Sequence, residues 1–226
     1  MEGHTNKSYD RDLSDLKQNL LLLGNLVERS IISAIKALEE MDGKLAASVI
    51  ADDDQIDRKE VEIDEFCHKV IALRQPAAKD LRFITTALKI NYDLERIGDM
   101  AVNICERVVE LVKEPQLKPY VTIPQMAETV QAMLRDSLAS FIHEDVDLAL
   151  TVKKDDEKVD ELLQKVCDDL QEIMSRDGAS VSRAMRLVFV SKYLERIGDH
   201  ATNIAELVIF MVQGKTIRHE KEPGSC

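Results

Sequence analysis

The sequence predicts an all-α fold of six helices, arranged as two tandem, pseudo-symmetric three-helix bundles. Three observations carry that prediction. The first is composition: hydrophobic residues make up 45% of the 226-residue chain, yet aromatics only 4%, with 8 Gly and 5 Pro. Leu, Ala, Glu, Lys and Ile dominate instead, and these are residues that lose little on entering a helix. The second is the recurrence of apolar residues at intervals of three and four along most of the chain. The third is an internal repeat: "LERIGDMAVNICE" (94–106) returns as "LERIGDHATNIAE" (194–206), with ten of thirteen positions identical at an offset of one hundred.

The first helix is marked by Leu13, Leu16, Leu20, Leu23, Val27, Ile31, Ile35 and Leu38 and should stop at Met41-Asp42-Gly43. A second runs over about 44–73, with Leu45, Val49, Ile56, Ile63, Phe66 and Val70 on one side. Pro76 marks the turn into a third, which continues to about Val112, because the residue before a proline is steered away from helical backbone. "KEPQLKPYVTIP" holds three of the five prolines and places the boundary between the halves near Pro115 to Pro124. Helices over about 125–142, 147–175 and 179–212 follow, with Gly214 as a C-terminal stop. A weaker echo at an offset of 103 pairs Asp53, Ile56 and Asp57 with Asp156, Val159 and Asp160. The expected organisation is therefore a first repeat over 1–117, a second over 118–213 and a polar, disordered tail over 214–226.

A formal charge of −12 and a pI near 4.9 argue against a nucleic-acid partner, since phosphate backbones are bound by clustered Lys and Arg. The N-terminus "MEGHTNKSYDRD" has no apolar core of a signal peptide, and apolar runs such as 20–23 are far too short to cross a bilayer, so a cytoplasmic protein is expected. Cys67, Cys105, Cys167 and Cys226 form no CxxC or Cys/His cluster, so neither a disulfide nor structural zinc is expected.

The repeated segment is where function should lie. Glu95, Asp99, Asn103 and Glu106 are spaced four, four and three apart and project from one side of a helix, opposite Ile97, Ala101, Ile104, Val108 and Leu111. The default for such a stripe is a solvated face. Surface positions of a duplicated segment are free to drift, yet Glu195, Asp199, Asn203 and Glu206 repeat it as faithfully as the apolar ridge does. Gly98 and Gly198 cost about 1 kcal/mol relative to Ala in a helix interior, and their place at the edge of the ridge suggests close helix approach.

If the second and third helices of each half form an antiparallel hairpin, Asp57 lies level with Glu95 and Asp53 with Asp99. In the other half Asp160 lies level with Glu195 and Asp156 with Asp199. Four carboxylates per half repel one another and raise each other's pKa unless a cation intervenes. Arg96 and Arg196 are turned about 100° around the helix and are expected to be poorly placed to neutralise the stripe. A hard divalent or iron-type ion would resolve the conflict through all-oxygen ligation. The expected ligands are Glu95, Asp99, Glu195 and Asp199, then Asp53, Asp57, Asp156 and Asp160, with Asn103 and Asn203 as further candidates.

Other sites are poorly supported. Glu65 and His68 have the E-x-x-H spacing of di-iron bundles, but the second half offers no counterpart. His200 stands where the first half has Met100, and His4, His143 and His219 lie in the termini or near a helix end. No phosphate loop, G-x-S-x-G or H-E-x-x-H is present, so no enzyme is indicated.

"YDLERIGDMAVNI" and "KYLERIGDHATNI", with "RQPAAKDLRFITTALKI" ahead of the first, resemble the PhoU family of bacterial phosphate-signalling regulators over nearly the whole chain. The second half departs from that wording with "RDGASVSR" at its turn. The resemblance implies two tandem three-helix bundles whose E/D-x-x-x-D motifs bind metal ions, the motifs falling on the eight carboxylates named above. It implies a negative regulator of phosphate uptake and of the phosphate-starvation regulon. The expected partners are a phosphate-sensing histidine kinase, the ATP-binding subunit of the phosphate ABC transporter and a second copy of the chain, with membrane contact only through partners. An acidic stripe repels phosphate unless a metal sits between them, so phosphate status is expected to enter through the partners, with the metal organising a docking surface. The alternatives are a metal-free helical scaffold docking through its acidic stripes and a carboxylate-bundle metalloenzyme.

Overall fold

The apolar recurrence of the first thirty residues folds into α1 (Lys7–Glu39), whose Leu16, Leu20, Leu23, Val27 and Ile31 are completely buried. The computed structural model describes residues 7–117 and 121–214. The elements that follow are α2 (Gly43–Asp52), α3 (Asp54–Arg74), α4 (Ala78–Leu111), α5 (Thr122–His143), α6 (Val146–Arg176) and α7 (Val181–Gln213), with a single 3₁₀ turn over Gly178–Ser180. No strand occurs among the described residues.

The helix expected over 44–73 is interrupted once. Asp53 separates α2 from α3, although its backbone (φ −59°, ψ −34°) remains right-handed helical. Three consecutive aspartates, 52 to 54, account for the break, because short acidic side chains favour turns and caps over helix interiors. Conversely, α5 starts at Thr122 and takes Pro124 into its first turn, where a missing N–H costs nothing. The turn expected at Met41-Asp42-Gly43 is mirrored at 144–145: Met41 and Glu144 both adopt left-handed backbone (φ 52° and 55°). Asp42 then caps α2 by accepting from the N–H of Lys44 and Leu45 at 2.9 and 3.0 Å, and Asp145 caps α6 by accepting from that of Leu148 at 3.0 Å.

The repeat extends further back than the sequence reading traced it. At the offset of 103, buried Leu20, Leu23, Val27 and Ile31 of α1 correspond to buried Ile123, Met126, Val130 and Leu134 of α5. In the first half α1, α2 and α3 pack around α4; in the second, α5 and α6 pack around α7. The halves meet through α4 against α7 and α1 against α5, and their apolar residues merge into one core. As α4 is followed from Asp93 to Glu110, its partners on α7 run from His200 back to Arg186, so the two helices are antiparallel, with pseudo-two-fold symmetry near Gly98 and Gly198. The boundary expected between 117 and 118 adjoins residues 118–120, and these, the tail over 215–226 with His219 and Cys226, and His4 lie outside the described residues. Cys67, Cys105 and Cys167 are free thiols.

Candidate metal centre

Each acidic stripe sits where two helices approach unusually closely. A Cβ on Gly98 of α4 would meet Ile56 of α3 at 3.1 and 3.2 Å and the Oδ1 of Asp53 at 3.5 Å. A Cβ on Gly198 of α7 would meet the Oδ1 of Asp156 at 3.5 Å and Val159 of α6 at 3.6 Å. The glycines thus let the second helix of each half lie against the stripe, and an oxygen of the corresponding aspartate, Asp53 or Asp156, faces each.

The electrostatics show which groups gather. Asp53 is pushed up to about 6, first by burial and then by the charges of Asp57, Asp99 and Asp54. Asp156 is also pushed up to about 6, by burial, Asp199 and Asp160, with the Thr202 hydroxyl acting the other way. Burial and then Asp99 raise Glu95, against the pull of Arg96. Asp199 is raised by burial, Glu195 and Asp160, with His200 and Lys192 opposing. Asp53, Asp57, Glu95 and Asp99 therefore act on one another in the first half, as do Asp156, Asp160, Glu195 and Asp199 in the second.

The carboxylates are gathered without being closed into a cage. Among the described residues no three His, Cys, Asp or Glu side chains are arranged to hold an ion as they stand. In the first half one reason is Arg96, which corrects the expectation that it is poorly placed to neutralise the stripe. Its Nε lies 3.1 Å from Glu95 and its Nη1 2.9 Å from Asp99, with the guanidinium 5.0 Å from the centre of the Tyr92 ring. The 100° step separates Cβ atoms, but the long arginine side chain folds back along the helix to reach one and three residues away. In the second half Lys192 pairs with Glu195 at 3.1 Å.

The donor set nonetheless fits a hard cation. The Oδ1 of Asp53 is buried without a hydrogen-bond donor, and the carboxylates around it repel. Asn103 and Asn203 lie one turn further along, half-buried and hydrogen-bonded to no described residue. The stripe ends there: Glu106 pairs with Arg107 at 3.2 Å and Glu206 with Lys153 at 3.0 Å.

Three features escaped the sequence reading. Glu60, raised by burial and by Asp64 and Asp57, extends the first cluster by a turn. Buried Asn91 donates to its carbonyl at 2.9 Å and its carboxylate at 3.3 Å. The i+3 spacing from Asp57 was the available signal; the second half has Leu163 at the matching position. His200 pairs with buried Asp93 across the halves at 2.8 Å, a contact no local pattern discloses. His68, by contrast, turns to Asp64 on its own helix, 3.2 Å away, and is exposed with Glu65.

A family model described as the PhoU domain matches the chain twice, over residues 20–108 and 123–208. A phosphate-specific transport system accessory protein PhoU homolog of Pseudomonas aeruginosa is 40% identical over 217 residues, covering 96% of this chain and 90% of its own. The homolog of Aquifex aeolicus is 43% identical over 216 residues, covering 95% and 98%. Among solved structures, PhoU from Pseudomonas aeruginosa superimposes with a TM-score of 0.87 at 40% identity, over 92% of this chain and 100% of that one. The phosphate transport system regulatory protein PhoU from Streptococcus pneumoniae gives 0.85 at 26% identity, over 92% and 99%.

Proposed function

We propose, since this chain belongs to the PhoU family, that it is a cytoplasmic, non-enzymatic accessory protein that restrains phosphate uptake and the phosphate-starvation response. No helix among the described residues is long and apolar enough to cross a membrane, which suits a protein that reaches the membrane through its partners. Those partners are a phosphate-sensing histidine kinase and the ATP-binding subunit of a phosphate transporter. The names of its relatives support the assignment to phosphate transport.

The observation that carries the mechanism is the double placement of an aspartate oxygen against a stripe glycine, Asp53 at Gly98 and Asp156 at Gly198. Asp53, Asp57, Glu95 and Asp99 would hold ions in one half, and Asp156, Asp160, Glu195 and Asp199 in the other. A bound cation supplies positive charge that cancels carboxylate repulsion and fixes the two stripes as a docking surface. Arg96 must release Glu95 and Asp99 for the first site to close, and its exposure to solvent makes that swing inexpensive.

The direct test is the metal content of protein purified without chelator or affinity metal, beside an Asp99→Asn, Asp199→Asn double variant. Metal retained by the parent and missing from an equally helical variant supports the reading. No metal in either, even after incubation with ferrous, manganous or magnesium ions, sinks it. The Arg96 bridge, and the absence of a ready-made cage among the described residues, favour the second reading, a metal-free scaffold whose stripes dock onto a basic partner. Under that reading the double variant weakens partner binding with no metal to lose.

A further inference from the structure

Arg96 and Arg196 hold the same place in the repeat, yet they do different things. Arg96 lies across the first stripe, 3.1 Å from Glu95 and 2.9 Å from Asp99. Arg196 is exposed and makes no hydrogen bond, ion pair or ring contact among the described residues. The backbone is helical at both positions and the flanking carboxylates are the same, so the difference comes from another neighbour.

That neighbour stands one turn back on the same helix face, where the first half has Tyr92 and the second has Lys192. The Tyr92 ring seats the Arg96 guanidinium, 5.0 Å from its centre, and holds the side chain along the helix. Lys192 offers no ring, repels a guanidinium at that spacing, and takes Glu195 for itself at 3.1 Å. Asp199 is left without an ion pair among the described residues. An ion entering the first half therefore has to displace a tethered guanidinium from both Glu95 and Asp99. In the second half it displaces one lysine, half exposed and with no ring to rest on, from a single carboxylate. Glu60 draws cations toward the first half, but it stands a turn beyond Asp57 and its carboxylate already accepts from Asn91 at 3.3 Å.

We propose that Arg96, seated on Tyr92, is an intramolecular competitor of the metal ion in the first half, so that the second half fills at a lower ion concentration than the first. This rests on the metal reading above. It gives the duplicated sites different roles: the second stays occupied while the first responds to ion supply. Filling the first also moves Arg96 off the stripe and onto the exposed face of α4 that carries Lys89 and Tyr92.

Titration calorimetry with Mn(II) on the full, metal-free chain tests the proposal, with Asp199→Asn leaving the first half to bind and Asp99→Asn the second. Two ion pairs and a ring contact should make Asp199→Asn protein bind manganese about tenfold more weakly than Asp99→Asn protein. Adding Arg96→Gln to Asp199→Asn should remove that gap, and adding Tyr92→Leu should remove part of it with Arg96 still in place. Arg196→Gln added to Asp99→Asn should change nothing. Circular dichroism verifies that each variant folds; Arg96→Met, which keeps the aliphatic stem, replaces Arg96→Gln if the latter does not. Equal affinities in the two single variants, tighter binding by the first half, or a gap that survives loss of Arg96 overturns the competition and leaves the metal reading standing. Manganese bound by neither single variant nor the parent removes both.

Discussion

At Gly98 and Gly198 the same residue has different neighbours, and this separates two roles of a helix glycine. An added Cβ meets Ile56 at 3.1 Å in the first half but nothing nearer than 3.5 Å in the second. Gly198→Ala should therefore gain about 1 kcal/mol from helix propensity, whereas Gly98→Ala should offset that gain by overpacking of about 1–3 kcal/mol. Urea melts of the two metal-free variants decide it, and equal gains would show the close approach to be irrelevant. Asp53 and Asp156 supply a pH signature. Their folded pKa values near 6 lie above the ordinary carboxylate value, so the folded state binds protons more tightly than the unfolded chain. The stability they contribute is fully present below the unfolded pKa, near 4, and is lost as pH rises through about 6. Between pH 7 and pH 5 the metal-free protein should thus gain stability on acidification, while bound metal, which needs ionised carboxylates, should be released. An Asp53→Asn, Asp156→Asn variant whose melting temperature keeps the parent's pH slope would contradict this.

At the level of elements, the left-handed residue followed by an aspartate cap is a joint used twice, at Met41-Asp42 and Glu144-Asp145. Asp42 satisfies two backbone donors and Asp145 one, so Asp42→Ala should cost about 1 kcal/mol or somewhat more and Asp145→Ala no more than that. Chemical denaturation of the two single variants tests the order. The caps matter beyond stability, because they set where α2 and α6 start and hence the register that brings Asp53 and Asp156 to the stripes. The sequence carries this joint at the offset of 103, Met41-Asp42 against Glu144-Asp145, since the cap chemistry is local. The break at Asp53 was not read, since the apolar period of Val49, Ile56 and Ile63 continues across it.

Across the whole molecule, the repeats share one core, a hydrogen bond between His200 and Asp93 at 2.8 Å, and ion pairs of Arg135 with Glu28 at 2.6 Å and Arg186 with Glu110 at 2.8 Å. At the α1–α5 contact a Cβ on Gly24 would run into Cδ1 of Leu138. We propose that 1–117 and 118–213 are two structural repeats of one cooperative unit. The chain should unfold in urea as a single transition seen alike by circular dichroism and by a probe placed in either half, and Gly24→Val should lower the midpoint of that whole transition. Two separated transitions would show that each repeat folds alone.

The sequence by itself determined the helices, the duplication and the two acidic stripes, because period, spacing and internal identity are properties of neighbours along one chain. Ile97, Ala101, Ile104 and Val108 had to be buried, and they are. It also put Asp53 level with Asp99 and Asp156 level with Asp199, since hairpin register follows from counting away from a turn. Whether those aspartates turn toward the stripe depends on how α3 and α6 roll about their axes, and packing against Ile56, Val159 and the two glycines decided that. The same holds for Arg96, whose long side chain chose among carboxylates in three dimensions, and for His200 and Asp93, which are joined only by the antiparallel crossing of α4 and α7. Periodicity fixes which face of a helix is buried, but rotation, rotamer and the gaps between helices are settled only when distant segments compete for the same space.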